Sequence, residues 1–160
     1  MRAGTCGEFR VLTLRDCPPE LFDYLCDEPA RAAEYWRAHI AKASNFNGDV
    51  ESLYVLALNT RRKIIGHYLV STGTVDTLLV HAREVFRGAI VANAATIILM
   101  HCHPSGDPTP GTSDVRKTRD LVRGGELLGI HVLDHVVMGQ PMVGGNVNGY
   151  CSLRKLGYFA

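Results

Sequence analysis

The sequence predicts an α/β or α+β sandwich, a curved mixed sheet with helices packed on it. Three observations predict it. TIILM, at 96–100, is a fully apolar run of strand length bounded by a turn signal, as a buried central strand requires. Two further strand-like runs, at 52–58 and 63–71, are joined by residues 59–62 as a hairpin. Segments of helical periodicity alternate with these strands, which calls for helices laid on a sheet.

The elements follow in order. FRVLTL at 9–14 alternates apolar and polar residues and reads as a short strand, broken by Cys17-Pro18-Pro19. A helix is expected over 28–43. Pro29 suits its first turn, and Ala33, Trp36 and Ile40 share one side. Residues 45–49 (NFNGD) form a turn cluster. Gly73 ends the second hairpin strand, and 77–80 reads as a short extended piece. An amphipathic helix follows at 83–93, with Val85, Phe86, Ala89 and Ile90 inward. Gly88 weakens it slightly. After the 96–100 strand, a helix at 113–128 turns Val115, Thr118, Leu121, Val122 and Leu128 inward and stops at Gly129. IHVLDHVVM at 130–138 is another strand. The glycine-rich 139–149 stretch reads as a mobile loop, and 150–153 as a last short strand.

The chain has 160 residues, 46% hydrophobic and 21% charged, which suits one soluble domain at 28–160 behind an N-terminal extension at 1–27. No apolar run reaches the ~18 residues of a membrane span, and the N-terminus lacks a signal-peptide h-region. The formal charge of +1 is no nucleic-acid footprint. The basic clusters at 61–63 and 116–119 read as solvated surface. The cysteine count is odd, at 5, and no CxxC spacing occurs. Free thiols in a reducing cytoplasm are therefore expected.

The chemistry concentrates in MHCHPSGDPTPGTSD, residues 100–114. A lone HxH pair is most often a strand cap. Here the pair directly follows an apolar strand, whose alternation turns both imidazoles to one face. Asp114 lies eleven residues after His103, at a helix start, where free N–H groups hold a carboxylate. His101, His103 and Asp114 together supply two nitrogens and one oxygen. That leaves one corner of a zinc tetrahedron for water, the arrangement of a catalytic site. Prolines 104, 108 and 110 stiffen the intervening loop. Cys102 alternates to the opposite face and reads as packing. His67, His81 and His131 have no spacing that joins them to the cluster.

His101-Cys102-His103-Pro104 followed by Asp114 resembles the JAMM motif, HxHPx(9)D, of the MPN/JAB zinc metallopeptidases. With HAREVFRGAIVANAATIILMH and GIHVLDHVVMG it is similar to the RadC-like branch of that family, over about 51–159. The resemblance implies a cytidine-deaminase-like MPN/JAB sandwich and bound Zn2+, with His101, His103 and Asp114 as ligands. It also implies a glutamate general base before the first core strand, where Glu51 stands. Without the motif Glu51 is a solvated strand edge. Glu84 is the alternative base, and also fits a plain helix-start carboxylate. The family pattern has a serine three residues before the aspartate, and this chain has Gly111 there. Thr112 or Ser113 would have to supply the oxyanion-supporting hydroxyl from a shifted position. Asp134 and His135 are candidates to contact the ligands from behind.

The leading expectation is a zinc-dependent hydrolase of a peptide or isopeptide bond. Its partners are a peptide or protein substrate, with no membrane and no nucleic acid indicated, and self-association as a further candidate. A non-catalytic zinc module serving DNA repair or mobile elements is the alternative, favoured by Gly111. A metal-dependent nuclease would need a basic groove. A zinc deaminase lacks its H-x-E and P-C-x-x-C elements here.

Overall fold

The computed structural model describes residues 24–73, 80–142 and 145–159. The 9–14 strand lies outside the described residues, as does nearly all of the 77–80 piece. Five strands form one mixed sheet: β1 (Ser52–Leu58), β2 (Ile64–Thr72), β3 (Thr96–Cys102), β4 (His131–Met138) and β5 (Tyr150–Ser152), in the order β2-β1-β3-β4-β5. β1 runs antiparallel to both β2 and β3, β3 and β4 are parallel, and β5 returns antiparallel to β4. Three helices cover it: α1 (Pro29–Tyr35), α2 (Ala82–Val91) and α3 (Thr112–Leu128), the last being the crossover between the parallel strands.

The period-2 alternation of β3 divides the core. Ile98, Met100 and Cys102 pack with Tyr54, Leu56, Val136 and Met138 under α1. Ile97 and Leu99 pack with Leu53, Val55 and Val132 under Val85 and Phe86 of α2 and Leu121 of α3. Every residue of β1 is buried, because both faces are covered. Trp36 sits in the first layer with its ring edge-on to Tyr54 and Phe46, at 5.4 and 5.6 Å between centroids.

Local chemistry explains the joints. Asn59 Oδ1 accepts the Arg61 and Lys63 N–H groups at 2.8 and 3.1 Å, closing the β1–β2 hairpin. Gly129 adopts φ 68° and ends α3, with the Ile130 N–H on the Gly125 carbonyl at 2.9 Å.

Three expectations are corrected. The 28–43 helix stays α-helical only to Tyr35; Trp36–Ile40 widens into a π-helical turn, with the Ala41 N–H on the Trp36 carbonyl. Ile90 and Leu128 are exposed rather than inward. β3 runs two residues further than TIILM, so the strand itself carries His101 and Cys102. In the described part of 139–149 the Gly139 N–H donates to the Gly149 carbonyl at 3.0 Å, and the Gln140 N–H to the Gly106 carbonyl at 2.7 Å.

Candidate metal centre

The centre lies where the C-terminal edge of β3 meets the N-terminus of α3, the place where open α/β sheets collect ligands. His101 is the sixth residue of β3. It pairs with Leu53 across the antiparallel ladder and faces α3 with Leu99. His103 follows one residue past the strand, its N–H held by the Met138 carbonyl at 2.9 Å. Its Nδ1 lies 2.7 Å from the Asp107 carbonyl, which can only accept, so the ring carries its proton on Nδ1.

The loop beyond is built to hold that carbonyl. Asp107 Oδ1 accepts the Thr109 N–H and hydroxyl at 2.9 and 2.7 Å. Gly106 turns at φ 81°, a left-handed conformation suited to glycine. Gly139 lets the β4–β5 connection press against this turn. A Cβ there would lie 2.3 Å from the Gly106 carbonyl oxygen and 2.9 Å from the Pro108 nitrogen. Asp114 enters from the first turn of α3, with Oδ2 accepting the Gly111 N–H at 2.8 Å.

The candidate ligand atoms converge. His101 Nε2 and His103 Nε2 are 2.9 Å apart. Asp114 Oδ1 lies 3.8 Å from the first and Oδ2 3.7 Å from the second. Donors about 2.0–2.1 Å from a tetrahedral zinc stand about 3.3 Å from one another, and the three separations straddle that spacing. Two imidazole lone pairs facing each other repel unless a proton or a metal ion lies between them. This donor set, all within 4.8 Å, fits a metal ion.

The electrostatics agree. Burial pushes His101 well below its ordinary range and His135 down to about 4, so both rings are neutral at pH 7. The Asp114 carboxylate raises His103. Burial opposes the charge on Asp114, but the facing imidazoles outweigh it and hold the carboxyl well below the usual range.

Residues 26–158 match the family described as the RadC-like JAB domain. The chain belongs to that family. It is 42% identical over 120 residues to a UPF0758 protein of Desulfitobacterium hafniense, covering 75% of this chain and 50% of that one. It is 47% identical over 109 residues to a UPF0758 protein of Caldanaerobacter subterraneus, covering 68% and 44%. A third, from Methanococcoides burtonii, is 43% identical over 110 residues, covering 69% and 45%. The chain spans about half the length of the curated relatives it matches.

In this RadC-like JAB domain Glu51 is half-buried just before β1, its carbonyl held by the Gly73 N–H at 2.8 Å. Extending the Leu53–His101 pairing two residues sets Glu51 across from His103. Its charge contributes to the raised affinity of His103 for a proton. Glu84 lies apart, in the first turn of α2, 3.6 Å from Arg87. Thr112 and Ser113 are exposed, and among the described residues no hydrogen bond ties either hydroxyl to the centre. The adjacent pair on β4 divides. Asp134 turns away, accepting the Ser152 hydroxyl at 2.6 Å and the Arg154 N–H at 3.2 Å, while burial raises its carboxyl. His135 turns in, with Nε2 2.8 Å from His101 Nδ1. Sequence reasoning assigned Thr118 to packing, yet its hydroxyl lies 2.6 Å from His135 Nδ1. A polar residue one turn after Asp114 on an otherwise apolar helix face was the available signal. Cys102 lies on the opposite face, its thiol on the Val50 carbonyl at 3.5 Å.

Proposed function

We propose that this domain is a zinc-dependent hydrolase that cleaves an amide bond in a peptide or isopeptide. The observation that carries the reading is the 2.9 Å approach of His101 Nε2 and His103 Nε2, with both Nδ1 atoms engaged elsewhere and the Asp114 carboxylate facing both rings. Such a site suits a borderline metal with N and O ligands and leaves one coordination position for chemistry.

His101, His103 and Asp114 would hold the zinc. When bound it supplies Lewis acidity, bringing the pKa of a water toward about 7 and polarising a carbonyl. Glu51, just before β1 and on the His103 side of the extended β1–β3 register, would take a proton from the attacking water and give it to the leaving nitrogen as the C–N bond breaks. Gly111 offers the oxyanion no hydroxyl. One missing donor of this kind typically costs about 10²–10³ in rate.

Metal analysis of the purified chain, with His103→Ala and Glu51→Gln beside it, tests the reading. The expectation is about one zinc per unaltered chain by the ligand count of such sites, lost in His103→Ala and kept in Glu51→Gln. Cleavage of a quenched-fluorescent peptide pool should vanish in both variants. Loss of metal from Glu51→Gln, or undiminished cleavage by it, removes Glu51 as the base. A chain that binds zinc and cleaves no peptide or isopeptide refutes the hydrolase.

A further inference from the structure

We infer that Thr118 and His135 are positioning residues for the metal centre, a hydrogen-bonded strut that sets the tautomer of His101 and ties it to the helix carrying Asp114. The inference rests on the metal reading above; neither Thr118 nor His135 is itself a ligand or the base.

The proton positions follow one another in order. Thr118 Oγ1 lies 2.6 Å from the Asp114 carbonyl oxygen, one helical turn back. A carbonyl has no proton to give, so the hydroxyl donates. With its proton committed, Oγ1 accepts at its 2.6 Å contact with His135, and His135 Nδ1–H is the donor. A neutral imidazole carries a single N–H. His135 Nε2 is therefore a bare acceptor, and at 2.8 Å it receives the Nδ1–H of His101. His101 is left with a bare Nε2, the atom 2.9 Å from His103 Nε2 and 3.8 Å from Asp114 Oδ1. If the Thr118 hydroxyl turned to His135 instead, every step would reverse, and an N–H would point into the space the three ligands share.

The surroundings leave no substitute. Thr118, His101 and His135 are 0%, 2% and 4% exposed, so solvent cannot replace a lost partner. The placement is structural. His135 pairs with Leu99 in the parallel β3–β4 ladder, on the face that carries His101. Thr118 is one turn beyond Asp114. The strut thus joins a ligand on the strand to the backbone of a ligand on the helix. The ring of His103 is oriented separately, through Asp107.

Valine has the shape of threonine without the hydroxyl, so Thr118→Val keeps the packing and removes the strut's end, while Thr118→Ser restores the hydroxyl alone. Zinc affinity of each full chain is read by competition with a chromophoric chelator. The expected result is about 10–100-fold weaker zinc binding in Thr118→Val, the usual effect of losing such an outer partner, with Thr118→Ser within a few-fold of the unaltered chain. Nitrogen-15 imidazole spectra of the metal-free unaltered chain should show His101 and His135 both protonated on Nδ1. This second readout decides the matter should Thr118→Val fail to fold. Equal zinc affinity in Thr118→Val and the unaltered chain overturns the strut alone, as does an Nε2–H on His101. No zinc binding by the unaltered chain overturns the metal reading and the strut together.

Discussion

Acidification should unfold the metal-free protein through His135, and the size of the effect follows from its burial. Unfolded, this imidazole takes a proton below about pH 6.5. Folded, it resists protonation until about pH 4, because burial penalises the cation. Between those values the unfolded chain binds the extra proton, so stability falls as the pH falls. The contribution is fully present above pH 6.5 and gone near pH 4. At about 1.36 kcal/mol per pH unit, that interval is worth about 3 kcal/mol for a folded value of about 4. Buried His101 adds to the loss with the same sign. His103, raised by Asp114, contributes stability of the opposite sense, present below its ordinary pKa and lost as pH rises through its folded value. Asp114, held low, contributes only as pH drops below the ordinary carboxylate range. The assay is urea unfolding of chelator-stripped protein at steps from about pH 7.5 to about pH 4.5, comparing the unaltered chain with His135→Gln. The absolute stability of the variant is irrelevant; its slope against pH should be flatter by about one proton's worth. Identical slopes would refute the assignment of acid sensitivity to His135.

Three further outcomes are expected. Gly139→Ala should destabilise the fold by about 1–3 kcal/mol and weaken zinc binding, because its Cβ meets backbone atoms of the Gly106–Pro108 turn; thermal unfolding and metal competition check both. Gly111→Ser should leave stability within a few tenths of a kcal/mol, since the backbone is extended and the new Cβ meets only Asp114 Oδ2 at 3.5 Å, while raising any peptide cleavage; an unchanged rate argues against an oxyanion-supporting hydroxyl at this position. Leu99→Ala, in the centre of β3, should cost about 2–5 kcal/mol by chemical denaturation.

The grouping of His101, His103 and Asp114 and the fold were legible for the same reason. Ile97 to Met100 is apolar on both faces, as a strand covered on both sides requires, and such a strand delivers an HxH pair to one side at its edge. The pairing of Thr118 with His135 was not legible, because it depends on the register between β3 and β4. That register carries an irregularity between Ile97 and Ile98, and without it Asp134 rather than His135 would face the ligands. The π-helical turn at Trp36 also left no pattern in the apolar spacing. Its wider winding shows only in backbone hydrogen bonds, which periodicity does not report. Exposure of Leu128 and Ile90 depends on what packs over each helix, a tertiary matter that periodicity does not report.

The ligand-bearing stretch from His101 to Asp114 is one strand end, one turn and one helix start, consecutive in the chain. Bringing its ends together closes a short loop, and loop-closure entropy grows with length. Glu51 joins them only when β1 zips onto β3, a contact reaching back some fifty residues in sequence. Convergence of the His-His-Asp group and the approach of Glu51 therefore depend on contacts of very different sequence range, with different costs in chain entropy.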